Sequence, residues 1–129
     1  MAERKEVMTF RKVIPAGHTD VLAQRVKGAG TIERIFVRFY PGQAGTLHVV
    51  PFVEHKGQKL EYMLSSVSTG KNYLSGDDDA FEFDVVVPVQ NDDFVKVRVT
   101  NTGDYDYDLV VDVSIDYYGG SKRIIGGAL

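Results

Sequence analysis

Residues 106–118 read Asp-Tyr-Asp-Leu-Val-Val-Asp-Val-Ser-Ile-Asp-Tyr-Tyr, and two kinds of side chain alternate along this stretch. One parity is apolar or aromatic: Tyr107, Leu109, Val111, Val113, Ile115 and Tyr117. The other parity is mostly polar: Asp106, Asp108, Val110, Asp112, Ser114 and Asp116. A period of two places one parity on a dry face and the other in water, which a helix cannot do. The stretch therefore predicts a half-buried β-strand.

The same period recurs at Phe94–Thr100, at Phe81–Val87 and around Ile35. Strands are predicted at about residues 6–13, 20–27, 31–40, 45–54, 58–66, 80–88, 94–100 and 105–118. No window shows a capped period of 3.6 residues, so we expect little or no helix. The pattern predicts an all-β protein, an antiparallel β-sandwich of jelly-roll type with about eight strands. An immunoglobulin-like sandwich is the alternative, because periodicity does not reveal strand order.

The segment Asn101-Thr102-Gly103 separates the last two predicted strands. A three-residue hairpin loop here sets Val99 against Tyr105 and keeps the inward parities of both strands together. In that register Arg98 faces Asp106, and Lys96 faces Asp108. The sequence thus predicts a hairpin with ion pairs on its solvent-exposed face.

The totals limit the classes of function. A length of 129 residues predicts one sandwich domain over residues 1–118, followed by a glycine-rich C-terminal arm over 119–129. A net charge of −3 gives no reason to expect nucleic acid as a partner. No apolar run of membrane-spanning length is found, and no apolar segment follows the charged N-terminus. We therefore expect synthesis in the host cytoplasm without a signal peptide and no membrane partner.

Catalytic motifs are not evident. The chain has no cysteine, no Gly-x-Ser-x-Gly and no glycine-rich phosphate loop that follows a strand and opens a helix. His48 and His55 differ in strand parity and are expected to diverge. We expect a protein that is not an enzyme and has no cofactor.

Two acidic groups are candidates for metal binding. The ladder of Asp104, Asp106, Asp108, Asp112 and Asp116 lacks the glycine and glutamate that an EF-hand loop needs, so it is interpreted as a solvated strand face. Asp77, Asp78 and Asp79 are consecutive carboxylates in a loop, and they could converge on calcium through oxygen. Consecutive aspartates also simply solvate a turn before a strand, and a metal site is not the favoured interpretation.

The arm and one long loop are the candidate partner-binding segments. The arm places a basic pair and large apolar residues between glycines: Lys122, Arg123, Ile124, Ile125 and Leu129. We expect these residues to bind a neighbouring subunit, because burial of each apolar side chain contributes about 1.5–3 kcal/mol before ordering costs. The loop over residues 68–79 carries Tyr73 and Leu74 among small polar residues, and loops of this length usually contact a partner.

Several turn and packing motifs point to a family. They are Ile14-Pro15-Ala16-Gly17-His18-Thr19, residues 32–42 (Ile-Glu-Arg-Ile-Phe-Val-Arg-Phe-Tyr-Pro-Gly), Ala44-Gly45-Thr46-Leu47, Asn91-Asp92-Asp93 and residues 101–106 (Asn-Thr-Gly-Asp-Tyr-Asp). Over about residues 14–118 the chain resembles small jelly-roll structural proteins of tailed-phage virions, in particular head decoration (cement) proteins. The resemblance implies a non-enzymatic protein that oligomerises, often as a trimer, and binds the major capsid protein on the outer surface of the capsid.

A different class of function is a carbohydrate- or receptor-binding module. In that hypothesis Tyr73 and the loop at Asp77–Asp79 would form a calcium-assisted site.

Overall fold

The computed structural model of the chain describes residues 4–56, 59–63 and 73–118. It contains eight strands: β1 (Arg4–Ile14), β2 (Thr19–Arg25), β3 (Gly30–Phe39), β4 (Leu47–His55), β5 (Lys59–Tyr62), β6 (Asp79–Val89), β7 (Phe94–Asn101) and β8 (Tyr107–Tyr117). The all-β prediction and its strand count are confirmed. The largest difference in length is at β5, which ends at Tyr62 rather than near residue 66. Within the described residues no helix has the length and apolarity needed to cross a membrane.

The strands form two antiparallel four-stranded sheets, in the orders β1-β8-β3-β6 and β2-β7-β4-β5. The pairs β1–β8, β2–β7, β3–β6 and β4–β5 are those of one long hairpin folded at its middle, and the pairs alternate between the sheets. This rolled-up hairpin is the jelly roll. It excludes the immunoglobulin-like alternative, in which the first two strands pair within one sheet.

The predicted hairpin between β7 and β8 is wrong. Val97 of β7 lies opposite Leu22 and Pro51, and Val111 of β8 lies opposite Phe10 and Val37. The inward residues of β7 and β8 share the core whether the two strands pair in a hairpin or lie in facing sheets. Parity alone therefore does not distinguish a hairpin from a crossing between sheets. The chain packs closely at Gly103, where a Cβ would lie 3.1 Å from the Thr46 side chain.

The core lies between the two sheets and is filled by the inward parity of each strand. Fully buried positions include Phe10, Ile35, Phe39, Val97 and Val111. At one end of the core Phe39 meets Phe81 edge-on, with ring centroids 5.9 Å apart. The outward parities of the two sheets therefore form two separate surfaces on opposite sides of the sandwich.

Buried polar side chains lie where the chain passes from one sheet to the other. Among the described residues they are Gln43, Asp93 and Asn101. Gln43 lies between β3 and β4 and donates from Nε2 to the Asp108 carbonyl at 3.0 Å. Asn101, at the end of β7, donates from Nδ2 to the carbonyls of Ile14 (2.9 Å) and Tyr105 (2.8 Å). Each of these two side-chain amides donates to main-chain carbonyls. The carbonyls lie at a crossing between the sheets, where they cannot be paired in a β-ladder.

The substitution Asn101→Ala should destabilise the sandwich by about 2 kcal/mol, because it removes the buried amide that donates to the carbonyls of Ile14 and Tyr105. It also removes Oδ1, which accepts from the Gly103 amide at 2.9 Å. Urea denaturation followed by circular dichroism measures the loss. Asn91→Ala, at an exposed turn position, is the matched control and should change the free energy of unfolding by less than about 0.5 kcal/mol. Equal, small effects for the two variants would contradict the assigned role of Asn101.

Candidate partner-binding face

The outward side of the sheet β2-β7-β4-β5 carries apolar and aromatic side chains where water-facing residues are usual. We call it the aromatic face and define it by Val21, His48, Val50, Phe52, Leu60, Tyr62, Tyr73, Phe94, Lys96 and Arg98. Its strands place these residues together because their parity is opposite to that of the buried Val95, Val97 and Val99. Val21 (48%), Leu60 (48%) and Tyr62 (41%) are its most exposed large apolar side chains.

Ring and cation contacts organise the centre of the aromatic face. The Arg98 guanidinium lies 5.7 Å from the centroid of the Phe52 ring, and the Tyr62 ring lies 5.6 Å from the same ring. Phe52 points outward and is nevertheless 5% exposed, because these neighbours cover it. Lys96 pairs with Glu54 and also lies 5.9 Å from the Phe94 ring centroid. Such cation–ring contacts contribute about 0.5–1 kcal/mol at exposed sites and hold the cations in place.

Tyr73 and Leu74, two predicted partner-binding residues, lie side by side with different exposure. Tyr73 stacks on His48 with ring centroids 3.8 Å apart, at the margin of the aromatic face, and is half-buried. Leu74 is 5% exposed, because it exchanges two main-chain hydrogen bonds of 2.9 Å with Val49 and extends the free side of β4. Leu74 thus packs in the core and positions Tyr73, which presents the accessible surface.

The other predicted partner-binding residues are Lys122, Arg123, Ile124, Ile125 and Leu129, and they lie outside the described residues. The proposed boundary between domain and arm at residue 118 also stays a prediction. The last described strand, β8, ends at Tyr117.

The carboxylates of Asp77, Asp78 and Asp79 turn to separate partners. Asp77 accepts from the Gly42 amide at 2.9 Å, Asp78 lies 3.5 Å from Arg38, and Asp79 accepts from the Asp77 amide at 3.0 Å. These contacts shape the turn that leads into β6. Among the described residues no group of three or more His, Cys, Asp or Glu side chains could hold a metal ion.

The acidic ladder lies on the other side of the molecule from the cations that the hairpin prediction assigned to it. Asp108, Asp112 and Asp116 point outward from β8, whereas Lys96 and Arg98 point outward from β7 in the opposite sheet. Asp106 precedes β8 and accepts from the Ala16 amide at 3.1 Å. The predicted ion pairs between β7 and β8 therefore do not form within one chain.

His55 joins two carboxylates at the far end of β4. Its Nδ1 lies 2.8 Å from Asp93 Oδ2, and its Nε2 lies 3.0 Å from Glu61 Oε1. Partial burial lowers the pKa of His55, but the hydrogen bonds to Glu61 and Asp93 outweigh burial and raise the pKa above its ordinary value. The imidazolium can donate to both carboxylates at once, while neutral imidazole donates one proton only. Protonated His55 thus ties β4 to β5 and to the turn before β7.

The residue types of the aromatic face are suited to binding a partner. Aromatic rings, an arginine and exposed apolar side chains are the residue types that dominate protein interfaces. The sequence contained a signal for this face that we did not use: residues 49–53 (Val-Val-Pro-Phe-Val) are apolar at both parities, so one apolar parity had to face outward.

No protein-family model matches the chain, and no curated protein matches it. Among solved structures, a chain in the structure of infectious bursal disease virus, Gx strain, is similar, with a TM-score of 0.50 and 15% sequence identity. The similarity covers 95% of this chain and 35% of the viral chain. The present chain therefore spans about a third of the length of that viral chain and shares the fold of the matched part.

The pKa of His55 gives the stability of the protein a pH dependence with a defined sign. Because folding raises this pKa, the imidazolium is bound more tightly in the folded state. Its contribution is fully present below the ordinary value of 6.5 and is lost as the pH rises through the folded-state pKa. The difference in free energy of unfolding between the natural protein and His55→Gln should therefore shrink from pH 6 to pH 9.

Chemical denaturation across this range measures that difference, and NMR titration of the His55 ring gives the pKa directly. His18→Gln, at an exposed position, is the control. A His55 pKa below 6.5, or a difference that grows with pH, would contradict the assigned bonds.

Proposed function

We propose that the chain is a non-enzymatic structural protein of a virion, and in particular a decoration protein. In this role it binds the outer surface of a phage shell through the major capsid protein and stabilises contacts between neighbouring subunits. The observation that carries the proposal is the complete jelly-roll strand order, in a fold similar to that of a chain in a virus structure.

The architecture suits such a role because both sheets are complete and their core is closed. Its exposed chemistry lies on outward faces and in connections, which are the parts of a sandwich that can contact neighbours without changing the core. The aromatic face supplies Arg98, Phe52 and Tyr62, residue types that act as anchors in interfaces.

A jelly-roll domain of this size is suited to adding onto a shell that another protein forms. Its contacts can each be weak, because attachment at one point raises the effective concentration for the next. Tyr73 and the arm residues Lys122, Arg123, Ile124, Ile125 and Leu129 are the proposed contacts with the major capsid protein, alongside contacts between copies of the chain, which we propose form a trimer.

Particles produced without this chain test the proposal. We expect them to assemble and to break at a lower temperature than natural particles. Adding the purified chain should restore both its occupancy, measured by quantitative mass spectrometry of gradient-purified particles, and their thermal stability. A chain lacking residues 119–129 should fold with an unchanged circular dichroism spectrum and fail to restore either property.

Three results would contradict parts of this proposal. Failure of particles to form without the chain would assign it to the shell lattice and overturn decoration. Absence of the chain from purified natural particles would overturn a virion role altogether. Full occupancy by the chain lacking residues 119–129 would remove the arm as the anchor.

A further inference from the structure

The strands β7 and β8 carry opposite charges that one chain cannot bring together. Arg98 points outward from one sheet, and Asp108, Asp112 and Asp116 point outward from the other. Packed sheets lie about 10 Å apart, and outward side chains point away from each other across that distance. The opposite charges of β7 and β8 can therefore meet only between two molecules.

The aromatic face has a cation that lacks a carboxylate. Lys96 pairs with Glu54, and Arg25 lies 3.7 Å from Asp92. Arg98, at the centre of the face, has no carboxylate within ion-pair distance among residues 4–56, 59–63 and 73–118, and it rests on the Phe52 ring. A guanidinium in apolar surroundings keeps N–H donors that favour a hydrogen bond to a carboxylate of another molecule.

The opposite side of the sandwich has surplus carboxylates. We call it the ladder face and define it by Lys5, Val7, Thr9, Arg11, Arg34, Phe36, Arg38, Asp108, Val110, Asp112, Ser114 and Asp116, on β1, β8 and β3. Three of its basic residues pair with carboxylates outside the ladder: Lys5 with Glu33 at 3.1 Å, Arg38 with Asp78 at 3.5 Å, and Arg34 with Glu82 and Asp84 at 3.4 Å each. No basic group within the described part of the chain forms an ion pair with the three ladder aspartates, although Arg11 lies opposite Val110 between two of them.

We propose that copies of this chain stack, with the aromatic face of one copy on the ladder face of the next. Arg98 then meets the β8 aspartates, none of which forms an ion pair within the described residues. The exposed Val21, Leu60 and Tyr62 of one copy pack against the exposed Val7 (57%) and the half-buried Phe36 of the other. Apolar contact supplies most of the affinity, and the charges set which faces meet.

The size of the faces predicts a weak contact. Four strands spaced about 4.8 Å apart and about eight residues long give a flat area of roughly 500 Å² per copy, at the low end for specific interfaces. Stacking should therefore depend on concentration and weaken as salt screens the charges. Because it needs no other protein, its failure would leave the shell-binding proposal standing.

The interface is heterologous, since each copy contributes a different face. Such a contact continues from copy to copy, either into a ring or into an open stack. A variant damaged on one face keeps the other face intact, and this property permits a decisive test.

The test uses the full chain in sedimentation velocity from micromolar to millimolar concentration. The natural protein should self-associate, more weakly as NaCl is raised. Arg98→Glu and Asp116→Lys should each weaken self-association by about tenfold or more, the effect of roughly 1.4 kcal/mol. Lys56→Glu and Asp104→Lys are the matched controls, at exposed positions off both faces, and should sediment as the natural protein does. Circular dichroism confirms that each variant is folded.

Mixing the two damaged variants gives the sharpest result. Arg98→Glu retains an intact ladder face and Asp116→Lys retains an intact aromatic face, and the reversed charges at positions 98 and 116 are complementary to each other. An equimolar mixture should therefore self-associate more strongly than either variant alone. A natural protein that stays monomeric at millimolar concentration would overturn the proposal. Equal weakening by test and control variants, or a mixture no more associated than its components, would overturn it as well.

Discussion

The crossing of the chain between two sheets is the constraint on which the rest of the structure depends. Of the strands that the structure describes, only β4 and β5 are consecutive in the chain and adjacent in one sheet. The connections β1–β2, β2–β3, β3–β4, β6–β7 and β7–β8 each pass from one sheet to the other, where main-chain groups lose their ladder partners. Gln43, Asp93 and Asn101 lie at three of these crossings, and each bonds the crossing to a distant strand or turn. Removing such a bond costs more than losing a surface contact, because the remaining polar group stays buried.

The sequence predicted the elements of this fold better than their pairing. All eight strands were predicted, and strict alternation gave the inward face of β3, β6, β7 and β8, since burial of one parity follows from local pattern alone. The pairing of strands depends on contacts between residues that are far apart in the sequence. The same inward parity results from a hairpin and from two facing sheets. Asn101 carries information about the pairing. It continues the inward parity of Val95, Val97 and Val99, which places a polar side chain in the core at the end of the strand. A buried side-chain amide at that position indicates that the chain crosses between the sheets there, because the carbonyls of the crossing need hydrogen-bond donors. An exposed turn has no such need.

The two outward faces follow from the same constraint. Because β7 and β8 leave the crossing into different sheets, their opposite charges lie on opposite surfaces of the sandwich. Tyr73 was identified from sequence because a long loop with an aromatic residue is conspicuous. The face beside it was missed, because outward apolar residues in β4 resembled an ordinary buried strand. The proposed stacking of copies depends on this difference between the two faces.

Backbone NOEs from NMR of the full chain test the strand order most directly. The account predicts contacts from the backbone of Val97 to those of Leu22 and Pro51, and from Val111 to those of Phe10 and Val37. Backbone contacts joining Val97 to Tyr107 and Val99 to Tyr105 would contradict it, since they would place β7 and β8 in one sheet and their opposite charges on one face.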